Sequence, residues 1–248
     1  MKFSFLQSRT VWQGAVVVAL LGGTAALWQK QPVRENKPAA APAEATVLFS
    51  GKEEEMKANF VRRGTGQPGH WRIQDGAMVV GDGDITTRQK YSDYMLHVEF
   101  KTPLMPNAKG QARGNSGIGL QDKYEVQVLD SYGIKIPGKG DCGSLYNQAA
   151  PLMVASKPPK EWQSFDIIFR RPRMRNGAKF SNAAVTVLHN GLPVQNNQEI
   201  MGATGIGGGA DTDAPGAIIF QNHGNPVEYR NIWIIPLPDK GSDDYDAH

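Results

Sequence analysis

The sequence predicts an all-β protein, an antiparallel two-sheet sandwich carrying one long irregular loop region. Three observations predict it. Short runs of alternating apolar and polar residues follow one another from Ala45 onward. Asp75–Gly76 and Asn190–Gly191 sit between such runs, the strongest short-range hairpin signal. The 28 Gly and 16 Pro favour turns, and no run of ten residues beyond the N-terminal segment carries a convincing helical period.

The elements follow in order. ATVLF opens the domain, and Gly51 to Asn59 reads as a short polar connection. HWRIQDGAMVVG makes the first hairpin. In LHVEF, Leu96, Val98 and Phe100 share one face and His97 and Glu99 the other. NSGIGLQ and YEVQVLD follow, then FDIIF, a hairpin through AAVTVLHNGLPVQ, GAIIFQNHG and VEYRNIWIIPL. About ten to twelve strands result, with room for one short helical turn in LMVASKPPKEW. Tyr132 to Glu161 shows no clear strand, and irregular segments of that length often serve function.

Domain organisation reads as an N-terminal segment 1–30, a Pro/Ala-rich linker 31–45, a β-sandwich domain 46–238 and a tail 239–248. Lys2 and Arg9 precede the uncharged stretch Val11 to Trp28, which fits a cleaved secretory signal and is also just long enough for a membrane anchor. The expected location is therefore the periplasm or cell envelope, with a membrane tether as the alternative. Residues 1–37 hold five basic side chains and one acid. Removing these from the totals of 27 and 24 leaves 22 basic and 23 acidic residues, a net charge of −1. Such a domain lacks the concentrated positive charge of a nucleic-acid binder, so that partner is excluded. The single cysteine, Cys142, forms no internal disulfide and reads as a small buried side chain rather than a nucleophile. GIGGGA (205–210) lacks the lysine and following helix of a phosphate loop.

The inner face of each sheet must be apolar. Tyr124, Val126 and Val128 therefore point to the core, leaving Glu125 and Gln127 outside with His97 and Glu99. In YRNIWI large apolar residues fall on both faces, and alternation alone does not assign it. If these strands neighbour one another, one face gathers His97, Glu99, Glu125, Gln127 and Arg230. An ordinary solvated face is the bland account for any one of them. Taken together, imidazole, carboxylates and an amide without lysine suggest the floor of a site.

NSGIGLQDKYEVQVLDSYG, with GDCGSLY, EWQSFDIIFRRPR, VTVLHNG and QNHGNPVEYRNIWIIPL, resembles the 3-keto-disaccharide hydrolase family over about Thr46 to Leu237. The resemblance implies a concanavalin/laminin-G-like jelly roll, export to the bacterial envelope, and cleavage of glycosides whose ring carries a ketone at carbon 3. That ketone acidifies the hydrogen at carbon 2. A base removes it, the group at carbon 1 leaves, and water adds back. Glu125 or His97 is the expected base. Glu99 would orient His97 or bind a divalent cation, the one cofactor the residues leave open. Arg230 or His223 would stabilise the enolate oxygen. Asn115, Gln127, Asp141 and Tyr146 would hold substrate. His223 and Asn115 have the competing account of shaping turns. Asp130 and Asp141 would cap the irregular loop as readily as bind a metal. The expected partner is an oligosaccharide or glycoside.

Two rival functions stand beside this one. A non-catalytic carbohydrate-binding sandwich would stack sugars on exposed aromatics, for which Trp71 and Trp162 are free. A conventional glycosidase needs two carboxylates close together, whereas Glu125 and Asp130 fall on opposite faces of their strand.

Overall fold

The computed structural model describes residues 38–239. The 1–30 segment, the first part of the linker and residues 240–248 lie outside the described residues. Within them no helix is long and apolar enough to cross a membrane.

The chain runs β1 (Thr46–Phe49), α1 (Glu53–Asn59), β2 (Phe60–Arg62), β3 (Arg72–Gln74), β4 (Ala77–Val79) and β5 (Ile85–Thr87). Then come β6 (Tyr94–Lys101), β7 (Ser116–Leu120), β8 (Tyr124–Val128), β9 (Gln163–Arg170), β10 (Arg173–Arg175) and β11 (Ala178–Ser181). β12 (Ala183–His189), β13 (Leu192–Ile200), β14 (Ile219–Phe220) and β15 (Glu228–Pro236) complete it. The large sheet has the order β13-β12-β9-β6-β15-β4-β3, with β1 also paired to β15. The small sheet has the order β2-β5-β14-β7-β8, and β10 and β11 form a separate ribbon. All these pairings are antiparallel.

Alternation works as expected along the long strands. Leu96, Val98 and Phe100 of β6 and Phe165, Ile167 and Phe169 of β9 meet Ile118, Leu120, Tyr124, Val126 and Val128 of the small sheet in one buried core. Asp75–Gly76 and Asn190–Gly191 turn their hairpins with positive φ at both residues, the geometry that the flanking twist prefers.

Three local expectations are corrected. Gly51 to Asn59 is not merely a connection, because α1 occupies most of it. Glu53, Glu54 and Glu55 favour its N-terminus and Met56 alone is buried, too little for a visible period. LMVASKPPKEW contains no helix. Residues 38–45 of the expected tether are partly fixed: the Ala39 amide donates to Glu99 Oε1 at 2.9 Å, and Asn231 Nδ2 donates to Ala39 O at 2.8 Å. Composition shows whether a segment has apolar residues to bury, not whether its backbone finds partners.

The strand that alternation left unassigned holds a bulge. The register of β15 against β6 shifts between Arg230 and Trp233, and Asn231 between them has φ 48°. Tyr229, Ile232 and Ile234 are thereby all fully buried on the core side. The extra residue lets large apolar side chains on both sides of it serve one face.

Candidate active site

The expected common face is split between the two sheets. β6 and β15 belong to the large sheet and β8 to the small one, so His97, Glu99 and Arg230 share no surface with Glu125 and Gln127. Alternation says which side chains leave the core but not which sheet they leave from. Each group forms its own cluster.

On the large sheet, His97 lies between Asp166 and Glu99. Its Nδ1 is 2.7 Å from Asp166 Oδ1, and its ring stacks on Trp233 at 4.8 Å between centroids. Burial alone would lower its pKa, but the two carboxylates prevail and hold it up at about 9. An imidazole that stays protonated at neutral pH is no general base. Glu99 is likewise occupied. It accepts from the Ala39 amide, Asn231 Nδ2 at 2.8 Å and Arg230 Nε at 2.7 Å. Burial opposes its ionisation, yet His97 and these donors bring its pKa down to about 2. Its oxygens are engaged by these donors, and the described residues hold no cluster of three or more His, Cys, Asp or Glu fit for a metal. Arg230 also covers the Trp162 ring at 4.0 Å, with Lys101 at 4.8 Å. Trp71 is buried, stacked on Tyr229, and donates its indole N–H to Gly83 O. Trp71 is therefore not free to stack a sugar, and the half-buried Trp162 ring is already engaged by two cations.

The small sheet carries a cavity of about 270 Å³ over β7 and β8. Its floor holds Glu125, Gln127 and Asn115, and Tyr146, Gln221 and His223 stand among its walls. Two loops bring the walls in. The irregular region folds back along the free edge of β8: Gly143 N donates to Gln127 O, Gln127 N to Ser144 O, and Tyr146 N to Glu125 O. This supplies Tyr146 and Asn147 to the pocket and closes an otherwise open strand edge. Beside it on the same edge, Thr204 Oγ1 accepts from Glu125 N at 2.8 Å. Asp141 does not reach the cavity. It accepts from Ser131 Oγ and Gly138 N and closes a turn of the irregular region. Asp130 binds Arg113 across a separate cleft. Cys142 is buried, and that burial pushes its thiol up to about 12, so it is no nucleophile.

Glu125 is 4% exposed. Burial, with a smaller contribution from Asp84, raises its pKa to about 7. It therefore exchanges a proton near neutrality, as a general base requires. Around it the polar groups are mostly neutral amides. Gln127 Nε2 donates to Asn115 Oδ1 and to Gln111 Oε1, both at 3.0 Å, while Asn115 Nδ2 donates to Gln111 O at 2.7 Å. Asn115 thus shapes the loop and lines the cavity at once. Gln127 Oε1 and Gln221 Oε1 are buried without a protein partner. Two such acceptors in one cavity suit the hydroxyl donors of a sugar.

Sequence reasoning missed Gln111, Thr204 and Gln221, which nothing local distinguishes. It also missed a readable signal in SGIGL. With Ile118 and Leu120 in the core, Gly117 and Gly119 fall on the outer face, and glycine inside a strand marks a close approach. The Glu125 carboxyl lies over Gly117, where a Cβ would collide with Oε1 and meet Gln221 Oε1 at 3.1 Å. Gly117→Ala is expected to lower kcat by roughly 10² by displacing the carboxylate, while circular dichroism remains that of the folded chain. Unchanged kcat would show that the carboxylate position over Gly117 is not needed.

The fold and this pocket define a glycosyl hydrolase-like β-sandwich, and the comparisons agree. A Parabacteroides distasonis protein of known crystal structure, named provisionally as a glycosyl hydrolase, is 40% identical, with TM-score 0.73 over 79% of this chain and 85% of that one. A second protein from the same organism, named likewise, shares the fold with TM-score 0.57 at 21% identity, over 82% of this chain and 100% of that one. No curated protein matches. The family model described as the 3-keto-alpha-glucoside-1,2-lyase-like domain matches residues 44–235, and the chain belongs to that family.

Proposed function

We propose that this protein cleaves 3-keto-glycosides by abstracting the proton at carbon 2, with Glu125 as the base. The observation that supports this most is the solitary carboxylate. Among the described residues Glu125 is the one acid lining the cavity, and it is buried with a pKa near 7. Ordinary glycosidases place two carboxylates about 5–10 Å apart across the bond they cut. Elimination next to a ketone needs one base and donors for the enolate oxygen. The family description, with its 3-keto-glucoside and 1,2-lyase chemistry, fits the same set.

In this reading the Glu125 carboxylate takes the carbon-2 hydrogen, and the electron pair moves onto the carbon-3 oxygen as an enolate. Tyr146 or His223, both in the walls, donates to that oxygen. The enolate then collapses and expels the group at carbon 1, which leaves with the proton from Glu125. Addition of water across the new double bond completes hydrolysis. The unpartnered Oε1 atoms of Gln127 and Gln221 accept from ring hydroxyls. Among the described residues no lysine or arginine lines the cavity, which favours a neutral sugar over a uronic acid. We also propose export to the cell envelope, where such a glycoside would be met.

The test is product analysis with a 3-keto glucoside and its unoxidised parent. Turnover of the keto compound alone supports the reading, with kcat/KM rising as pH climbs through about 7 and Glu125 loses its proton. Cleavage of the parent would replace it with a conventional glycosidase, and binding without turnover with a carbohydrate-binding module.

A further inference from the structure

Two of the three segments that wall the pocket, Thr204–Gly205 and Gln221–His223, are tied together by a pair of side chains outside its lining. Asp84 directly precedes β5, and its Oδ1 accepts from the Asn222 amide at 2.8 Å, just beyond β14. This extends the β5–β14 pairing past Phe220 and sets the course of Gln221–Asn222–His223. Asp84 Oδ2 accepts from Arg63 Nη1 at 3.0 Å, and the same nitrogen donates to Ile206 O at 2.7 Å. Ile206 lies two residues beyond Thr204, whose hydroxyl holds the Glu125 backbone. Gln221 N in turn donates to Gly117 O, under the Glu125 carboxyl.

We propose that Asp84 is a positioning residue for the base: its carboxylate holds the Gln221–His223 wall directly and the Thr204–Gly205 wall through Arg63, and sets a fixed negative charge beside the pocket. This rests on the reading of Glu125 as the base. The other titratable groups near Glu125 are Tyr146 from the folded-back loop, His223 after β14 and the buried Tyr229 of β15. Arg63 partly balances Asp84 from the end of β2. A negative charge nearby disfavours the ionised form of Glu125, adding to what burial does. The pair thus couples the shape of the cavity to the proton affinity of its acid.

Asp84→Asn keeps the Asn222 anchor, because the amide oxygen still accepts from Asn222 N, while the charge and the acceptor for Arg63 are lost. In the full chain, the Glu125 side-chain carboxyl followed by carbon-detected NMR should titrate lower than in the wild type, by roughly half a unit or more. The rising limb of kcat/KM should move down with it. Arg63→Gln, which leaves Asp84 unbalanced, should move both upward and serves as the second variant if Asp84→Asn does not fold. Asp84→Ala should in addition raise KM, since Asn222 loses its anchor. A Glu125 titration that stays in place in both charge variants overturns the proposal. Failure of the base assignment shows elsewhere: Glu125→Gln would retain turnover although the titration still answers to Asp84.

Discussion

Glu125→Gln is expected to reduce turnover of a 3-keto glucoside by roughly 10² to 10⁴ while making the fold more stable at alkaline pH. Both effects come from the same burial. The carboxylate is 4% exposed, and its pKa is raised from 4.5 to about 7. A raised folded pKa means that ionisation is harder in the native state than in the unfolded chain. Below pH 4.5 the group is neutral in both states and costs nothing. As pH rises through about 7, the native state comes to hold a desolvated charge that the unfolded chain would hold in water. From the size of the shift the cost is on the order of 1–3 kcal/mol above pH 8. Glutamine has nearly the same shape and no charge. The variant should therefore melt with the wild type below about pH 4 and several degrees above it at pH 8.5. Equal melting at both pH values would mean that Glu125 is solvated, and retained turnover would mean that another group takes the proton.

That trade was legible in part. The apolar alternation of YEVQV and LHVEF identified which side chains leave the core, and the structure keeps those assignments: Val126, Val128, Leu96 and Val98 are fully buried. What alternation cannot carry is the pairing partner. β6 lies between β9 and β15, while β8 pairs with β7 in the other sheet. These partners are set by contacts far apart in sequence, and two sheets give two outer faces with the same pattern. His97, Glu99 and Arg230 are real neighbours, as their polar character suggested. They instead form a charge-balanced cluster that holds the backbone of Ala39.

The pocket was harder to read than the sheet, because its walls are loops. Gln111, Thr204 and Gln221 come from three separate segments, and each is an ordinary surface residue by type. Only the folded chain shows that Gln127 Oε1 and Gln221 Oε1 have lost water without gaining a protein donor. Gly117 and Gly119 were the exception. Their alternation with Ile118 and Leu120 was visible in one line of sequence, and its meaning, room for something to lie across the strand, follows from the absent Cβ alone.

Asp93→Ala is expected to destabilise the domain by about 2–4 kcal/mol at pH 7. The Asp93 side chain is fully buried just before β6. It accepts from Arg170 Nη1 and Arg173 Nη1, each at 3.0 Å, and from the Arg171 amide at 3.1 Å, with Arg173 Nη2 closing the set. One carboxylate thereby joins the start of β6 to the connection between β9 and β10, and the Asp93 carbonyl accepts from Leu237 beyond β15. Removing it strands two guanidinium groups, but these are 39% and 23% exposed and recover some water, which keeps the loss below that of a fully buried pair. Burial by itself would raise the pKa of Asp93, and the arginines and the Arg171 amide outweigh it to bring the pKa below 3.8. A depressed folded pKa contributes stability that is complete above the unfolded value and is lost as pH falls through the folded one. Urea melts of wild type and Asp93→Ala should therefore differ fully at pH 7 and converge below about pH 4. A gap that stays constant down to pH 2 would assign the loss to the cavity left by the side chain, and Asp93→Asn, which preserves the shape, would then melt like the wild type.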